Sequence, residues 1–230
     1  LQPVPPALIQ HWKKYFPKMQ YDTNYGLSES TGPGCVHLGI GNEHKIGSIG
    51  RPGFNWETRI VDENGKDVKK GDPGELLVRG DGVMREYYRN PEATAKTLVN
   101  GWLYTGDMAR EDEDGFIWLV DRKKDVIITG GENVFPVEVE DYLHTNPNVK
   151  DIAAIGLPDE RLGEIVAVIV DVVPGKTLSE EEVLKFCEGL PKYKRPRRVF
   201  FGEVPRNPTG KIEKPKLRKL YSGREEAFKI

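Results

Sequence analysis

The chain has 230 residues, 37% hydrophobic and 30% charged, with a formal net charge of −2. This is an ordinary globular composition, enough for one large or two small domains with a buried core. It excludes collagenous, disulfide-rich and zinc-finger classes: Cys35 and Cys187 lie far apart, four scattered histidines lack metal-ligand spacing, and no apolar run approaches the ~18 residues of a membrane span.

Along the chain, Pro6 to Tyr15 alternates apolar and basic positions as one amphipathic helix does, with Pro5-Pro6 at its start. Residues 21–56 are rich in Gly, Ser, Thr and Asn and predict loops joining short strands. Strand-like runs follow at 58–61 and 75–79, with Asn64-Gly65 between them as a hairpin turn signal. Asn90-Pro91-Glu92 reads as an N-cap, a first-turn proline and an early acid, so a helix is predicted to about Leu98. Asp114-Gly115 turns into a strand over 116–120. The five consecutive charges of 121–125 cannot all be buried and predict an exposed hinge and a domain boundary. Beyond it the pattern predicts a short strand at 126–129, a helix at 136–144, and strands near 152–157 and 165–173. A capping box at Ser179 opens a helix to about Leu190, followed by a strand at 198–204, a loop at 205–211 and a frayed tail at 222–230.

Several stretches could carry chemistry, though each alone also reads as an ordinary loop or solvated face. In Tyr25-Gly26-Leu27-Ser28-Glu29, a glycine permits close approach of a ligand, a hydroxyl can bond a phosphate and a carboxylate can hold Mg²⁺. Asp107, after Gly106, can accept from two ribose hydroxyls or simply end a turn. Arg122 and Lys124 flank Lys123 at the hinge. Gly130-Gly131 separates a strand from a helix. In Pro205–Lys211, a Pro- and Gly-shaped loop holds Lys211 as a positioned cation, without the first glycine of a Walker A loop. Between Lys185 and Lys219, twelve Lys and Arg face three Glu. That excess suits a polyanion, either nucleic acid or a phosphorylated small molecule.

Jointly and in this order, YGLSE (25–29), GSIGRPG (47–53), GDPGELLVRG (71–80), GWLYTGD (101–107), DRKKDVIITGGENVFPVEVE (121–140), PDERLGEIVAVIV (158–170) and PRNPTGK (205–211) are specific. The sequence resembles the adenylate-forming superfamily, which includes acyl- and aryl-CoA synthetases, amino-acid adenylation domains and beetle luciferases. The resemblance implies an α+β chain with α/β character. Residues 1–121 would be the β-rich end of a large N-terminal AMP-binding domain and 122–221 a small mobile C-terminal domain.

It also implies roles. Ser28 contacts a nucleotide phosphate, Glu29 carries Mg²⁺, and Asn24, Tyr25 and Gly26 lie beside the adenine or acyl group. Asp107 binds ribose with Arg122 as its partner, Lys124 is the hinge, Gly130 and Gly131 border the thiol channel, and Lys211 serves the adenylation step. Asp121 departs from the usual Gly before that Arg. The upstream phosphate loop of the family has no match here, so the stretch is expected to be a piece of a longer protein and inactive by itself. The implied reaction is ATP-dependent acid–CoA ligation with ATP, coenzyme A and a small carboxylic acid as partners. Nucleic acid and an integral membrane segment are not expected, a homodimer is left open, and the cytoplasm is the default location. An amino-acid adenylation domain feeding a carrier protein and a non-catalytic nucleic-acid module are the alternatives.

Overall fold

A computed structural model describes residues 6–208 and 210–222; Pro5, Thr209 and most of the expected tail (223–230) lie outside the described residues. The chain divides into two compact units, one ending at Lys123 and the other starting at Lys124. Both mix helices with antiparallel sheet, so the α+β expectation holds.

In the first unit, helix α1 (Pro6–Tyr15) matches its predicted span. The Gly-rich stretch then forms a three-stranded antiparallel sheet of β1 (Asp22–Gly26), β2 (Pro33–Leu38) and β3 (Arg51–Pro52). A second sheet pairs β4 (Trp56–Val61) with β5 (Gly74–Gly80). Asn90 caps helix α2 (Pro91–Thr97) by accepting from the Ala93 N–H at 3.0 Å. The helix stops where β6 (Leu98–Val99) turns into the long strand β7 (Trp102–Glu111). β7 lies against β5, and its other edge carries β6 and β8 (Ile117–Arg122). Tyr25, Cys35, Leu76, Val78, Leu103 and Ile117 form the heart of one core. Burying each large apolar side chain contributes about 1.5–3 kcal/mol.

Two expectations change here. The turn at Asn64-Gly65 does not join β4 directly to β5. It folds residues 66–68 back onto β4, the Val68 N–H donating to Ile60 O at 3.0 Å, and a further loop leads to β5. A turn signal fixes the reversal, not which strand follows. The charged run is also less exposed than its composition suggests. Asp121 and Arg122 extend β8, pairing with Met108 and Asp107, and Asp125 is buried against Arg218 at 2.8 Å.

The β7–β8 turn is tied by Asp112. One carboxylate oxygen accepts from the Asp114 and Phe116 amides, the other from the Lys45 ammonium (2.8 Å) and the Trp118 indole (3.0 Å). Burial pushes this carboxyl up, but those donors outweigh it and hold it down at about 2. An unfolded Asp titrates near 3.9. Because the folded pKa is depressed, the stabilisation is complete above about pH 4 and is lost as pH falls toward 2. In an acid titration followed by circular dichroism, Asp112→Asn is expected to lose this unit's structure at a higher pH than wild type. Coincident titrations would contradict the assignment.

The second unit is built on a hairpin. β11 (Val149–Asp159) and β12 (Gly163–Val172) pair antiparallel over nearly their whole length. Ahead of them come β9 (Ile127–Thr129), β10 (Glu132–Val134) and helix α3 (Pro136–His144). Helix α4 (Glu180–Phe186), opened by the reciprocal Ser179–Glu182 capping box, and strand β13 (Arg198–Phe201), parallel to β12, follow. Ile152, Ala154, Val166, Val168 and Val170 face a core shared with α3 and α4. Ala153, Ile155, Leu157, Ile165, Ala167 and Ile169 face a second core, shared with Leu217 and Tyr221 of helix α5 (Lys214–Tyr221). Burial on both faces is why these strands read as unbroken apolar runs. The α4 helix is shorter than predicted, a 3₁₀ turn covering Cys187–Gly189, and β13 ends at Phe201 rather than 204.

Gly130-Gly131 is not a strand-to-helix turn. It is the two-residue loop of the β9–β10 hairpin, with Thr129 opposite Glu132 and both glycines at positive φ (59° and 87°), as a type I′ turn requires.

Candidate active site

On β7, alternate residues Leu103, Thr105, Asp107 and Ala109 point inward. Two of these four are polar, and the strand bends to suit them. Glu75 pairs with Met108 and Leu77 with Tyr104, so residues 105–107 bulge opposite Leu76 alone. Side chains satisfy the backbone groups the bulge frees. The Thr105 hydroxyl donates to Leu76 O (2.6 Å) and accepts from the Asp107 N–H (3.1 Å). Glu75 Oε1 accepts from the Gly106 N–H (3.1 Å), where Gly106 takes φ 70°.

The bulge aims Asp107 between two partners. Tyr25 Oη donates to its Oδ2 at 2.6 Å, and Arg122 Nε lies 2.8 Å from its Oδ1. Burial first, then the adjacent Asp107 carboxylate, pushes the Tyr25 phenol up, so it stays a donor. Each Asp107 oxygen accepts one bond here and can accept a second.

A cleft of about 530 Å³ runs beside this pair, bordered by Leu27, Glu29, Tyr87, Gly106, Arg122 and Lys123 among others. Glu29 sits in the 3₁₀ turn Ser28–Ser30, which the Ser30 hydroxyl ties to Leu27 and Gly32. Its carbonyl accepts from the Met84 N–H (2.7 Å) and its Oε1 from Tyr87 Oη (2.8 Å). Burial and the Glu29 carboxylate push the Tyr87 phenol up, so this hydroxyl also stays a donor. Among the described residues no group of three or more His, Cys, Asp or Glu forms a metal cage. One fixed carboxylate facing a polar cleft nonetheless fits Mg²⁺, which commonly takes one or two carboxylates plus substrate phosphates and water.

The predicted residues of the first unit fall into two sets. Tyr25, Asp107 and Arg122 are joined by hydrogen bonds, and Arg122 and Glu29 border the same cleft. Asn24 is exposed on the opposite face of β1 from the buried Tyr25, so their side chains do not flank one ligand. Ser28 is exposed at the start of its turn. Gly26 does not open space for a ligand: a Cβ there would lie 2.4 Å from the Gly32 carbonyl oxygen, so the chain's own backbone requires the glycine.

In the second unit, Lys124 is exposed in the single 3₁₀ turn Lys123–Asp125. The Gly130-Gly131 hairpin is held by the Gly130 N–H donating to Leu162 O (2.9 Å) and the Ile128 N–H to Glu164 Oε2 (2.9 Å). The Lys211 loop is stapled. Arg206 grips Asp151 with two nitrogens (2.9 and 2.8 Å) and donates to Gly210 O (2.7 Å), while Asn207 Oδ1 accepts from the Lys211 N–H (2.9 Å). The Lys211 side chain is exposed and has no acceptor among the described residues.

Tyr87, Thr105 and Glu75 are not singled out by the sequence patterns, although Thr105 and Glu75 lie within GWLYTGD and GDPGELLVRG. The signal for Glu75 is its place in an apolar strand run, where a buried charge needs a partner.

The family model "AMP-binding enzyme" matches residues 2–88, and "AMP-binding enzyme C-terminal domain" matches 138–211. The chain belongs to the adenylate-forming AMP-binding enzyme family. It is 41% identical over 223 residues to the long-chain-fatty-acid–CoA ligase FadD13 of Mycobacterium tuberculosis, covering 96% of this chain and 43% of that protein. It is 43% identical over 200 residues to the indoleacetate–CoA ligase of Aromatoleum aromaticum, covering 86% and 39%. Among solved structures it resembles Bacillus subtilis o-succinylbenzoate CoA synthetase (MenE). The form with the acyl-adenylate intermediate gives a TM-score of 0.83 at 30% identity, covering 95% of this chain and 44% of that one. The form with ATP and magnesium ion gives 0.81 at 31%, covering 94% and 44%. The chain thus spans less than half the length of these relatives. Asp107, Arg122, Lys124, Gly130 and Gly131 fall between the two matched stretches.

Proposed function

We propose that this chain carries the ribose-binding edge and the lysine-bearing lobe of an ATP-dependent carboxylic acid–CoA ligase. The observation that carries the reading is Asp107, a 4%-exposed carboxylate at a strand bulge, fixed by Tyr25 and Arg122 beside a polar cleft. Asp107 accepts from the ribose hydroxyls and Arg122 holds Asp107 in place. The Ser28 hydroxyl donates to a phosphate, and Tyr25 holds Asp107 from the β1 side. Glu29 holds Mg²⁺, which supplies positive charge against the phosphates. In the first half-reaction a substrate carboxylate oxygen attacks the α-phosphorus of ATP, and pyrophosphate leaves. In the second the thiol of coenzyme A, losing its proton, attacks the acyl carbon of the adenylate; the acyl–phosphate bond breaks, AMP leaves and the thioester remains. Two like unit charges at 4 Å repel by about 4 kcal/mol at an effective dielectric of 20. The Lys211 ammonium offsets that repulsion in the first half. Lys124 is the pivot that exchanges Lys211 for the Gly130-Gly131 hairpin, beside which the thiol enters.

The relatives' names span fatty, indolyl and succinylbenzoyl acids, which supports a carboxylic acid as substrate class. Within the basic stretch, Lys194, Arg206, Lys214, Lys216 and Arg218 are already paired with carboxylates, which leaves fewer cations for a polyanion than the composition suggests. Cys35 and Cys187 are buried free thiols, pushed up by burial to about 12 and about 11, which suits a reducing cytoplasm. No helix among the described residues is long and apolar enough to cross a membrane. In the full-length protein, Asp107→Ala is expected to weaken ATP binding about 100-fold by calorimetry, since it removes acceptors for two hydroxyls and leaves Arg122 unpaired. Affinity equal to wild type would overturn the reading.

A further inference from the structure

Glu75 has no part in the roles above, yet its one carboxylate reaches both strands of the Asp107–Arg122 pair. Its Oε1 accepts from the Gly106 N–H at 3.1 Å, one residue before Asp107. Its Oε2 lies 2.7 Å from Lys123 Nζ, one residue after Arg122. The Glu75 side chain is 7% exposed and that of Lys123 51%. The carboxylate is therefore fixed by its surroundings, while the lysine reaches in from solvent to meet it.

The backbone explains why such a brace is needed. A regular ladder would set the spacing between Asp107 and Arg122 by itself. Here β7 bulges against β5 at residues 105–107, and β8 slips against β7 between Met108 and Ala109. Asp107 and Arg122 thus face each other where both ladders are irregular. Thr105 restores the hydrogen bonds on the β5 side, and on the β8 side two rungs, Asp107–Arg122 and Met108–Asp121, lie beyond the slip. The Glu75–Lys123 contact adds a side-chain restraint at that end.

We propose that Glu75 is a positioning residue: by bracing Gly106 and Lys123 together it fixes the alignment of Asp107 with Arg122, and through them the affinity for the nucleotide. The second part rests on the nucleotide reading given above; the first stands on geometry alone. Glutamine at position 75 keeps an acceptor for Gly106 but loses the charge that Lys123 meets. Lys123→Met removes the same contact from the exposed side, where loss of folding is not at issue.

The test compares Glu75→Gln, Lys123→Met and the double variant in the full-length protein, well below each melting temperature. AMP and ATP affinities are measured by calorimetry, KM for ATP and kcat by turnover, and the Arg122 Nε–H resonance by NMR. Each single variant is expected to weaken nucleotide binding and raise KM about tenfold with kcat within about twofold. The double variant is expected to be no weaker than either single one, because both remove one contact. The Arg122 Nε–H proton is expected to exchange faster with solvent in all three. A residue that merely supports the fold would lower the melting temperature and leave affinity and the Arg122 signal unchanged, which would overturn the proposal, as would additive losses. If the wild type binds no adenine nucleotide, the function proposed above fails, and the Arg122 signal alone still decides for or against the brace.

Discussion

Lys211→Ala is expected to slow acid-dependent pyrophosphate exchange by about 10²–10³, while thioester formation from supplied acyl-adenylate continues near the wild-type rate. The expectation comes from the loop. Most lysines on a surface pair with a carboxylate or sweep freely through solvent. The backbone of Lys211 is fixed by Asn207, and the chain just before it by Arg206, which is itself anchored on Asp151. The ammonium is exposed, with no acceptor among the described residues, and so can reach a ligand brought to the loop. A fixed cation acts only where negative charges are brought together, which is the first half-reaction. Measured in the full-length protein, equal losses in both half-reactions would mean that Lys211 supports the lobe rather than the adenylation step.

The second large effect concerns stability. Lys214 opens α5 and lies 2.9 Å from Glu140 of α3, both side chains only 9% exposed. Glu140 also accepts from the Ala154 N–H of β11. Lys214→Ala would remove the ammonium bonded to a buried carboxylate, and such losses typically cost about 3–5 kcal/mol. For a unit near one hundred residues this corresponds to a melting temperature lower by on the order of 20 °C. Lys214→Met combined with Glu140→Gln is expected to regain most of the loss, because the amide still accepts from Ala154 and no lone charge remains. Calorimetric unfolding of the three proteins tests this. A Lys214→Ala protein within 1 kcal/mol of wild type would show that solvent reaches Glu140 after all.

Local patterns served the reading of the sequence well. Proline and its cap at Asn90, the Ser179 box and the apolar runs of β11 and β12 each act over a few residues, and each marked an element that is present. Helix α5 went unread because Lys214-Pro215-Lys216 looks like more basic loop, and only the core beneath Leu217 and Tyr221 makes it a helix. Asp125 read as solvated because its partner, Arg218, is 93 positions away. The site divides the same way. Glu29, Asp107 and Arg122 sit in short recognisable motifs. Tyr87 and Glu75 act through contacts 58 and 48 positions long, which no local spacing announces.

The β11–β12 hairpin, with its odd and even residues committed to different cores, leaves little room for change in chain length. One residue inserted within either strand would reverse every side chain beyond it, driving Ile152 into space shaped for Ala153 and Ala154 into space shaped for Ile155. Insertions are therefore tolerable at the 160–162 turn and not within the paired runs. A library that scans single-residue insertions across 149–172 should return soluble protein from the turn and little else.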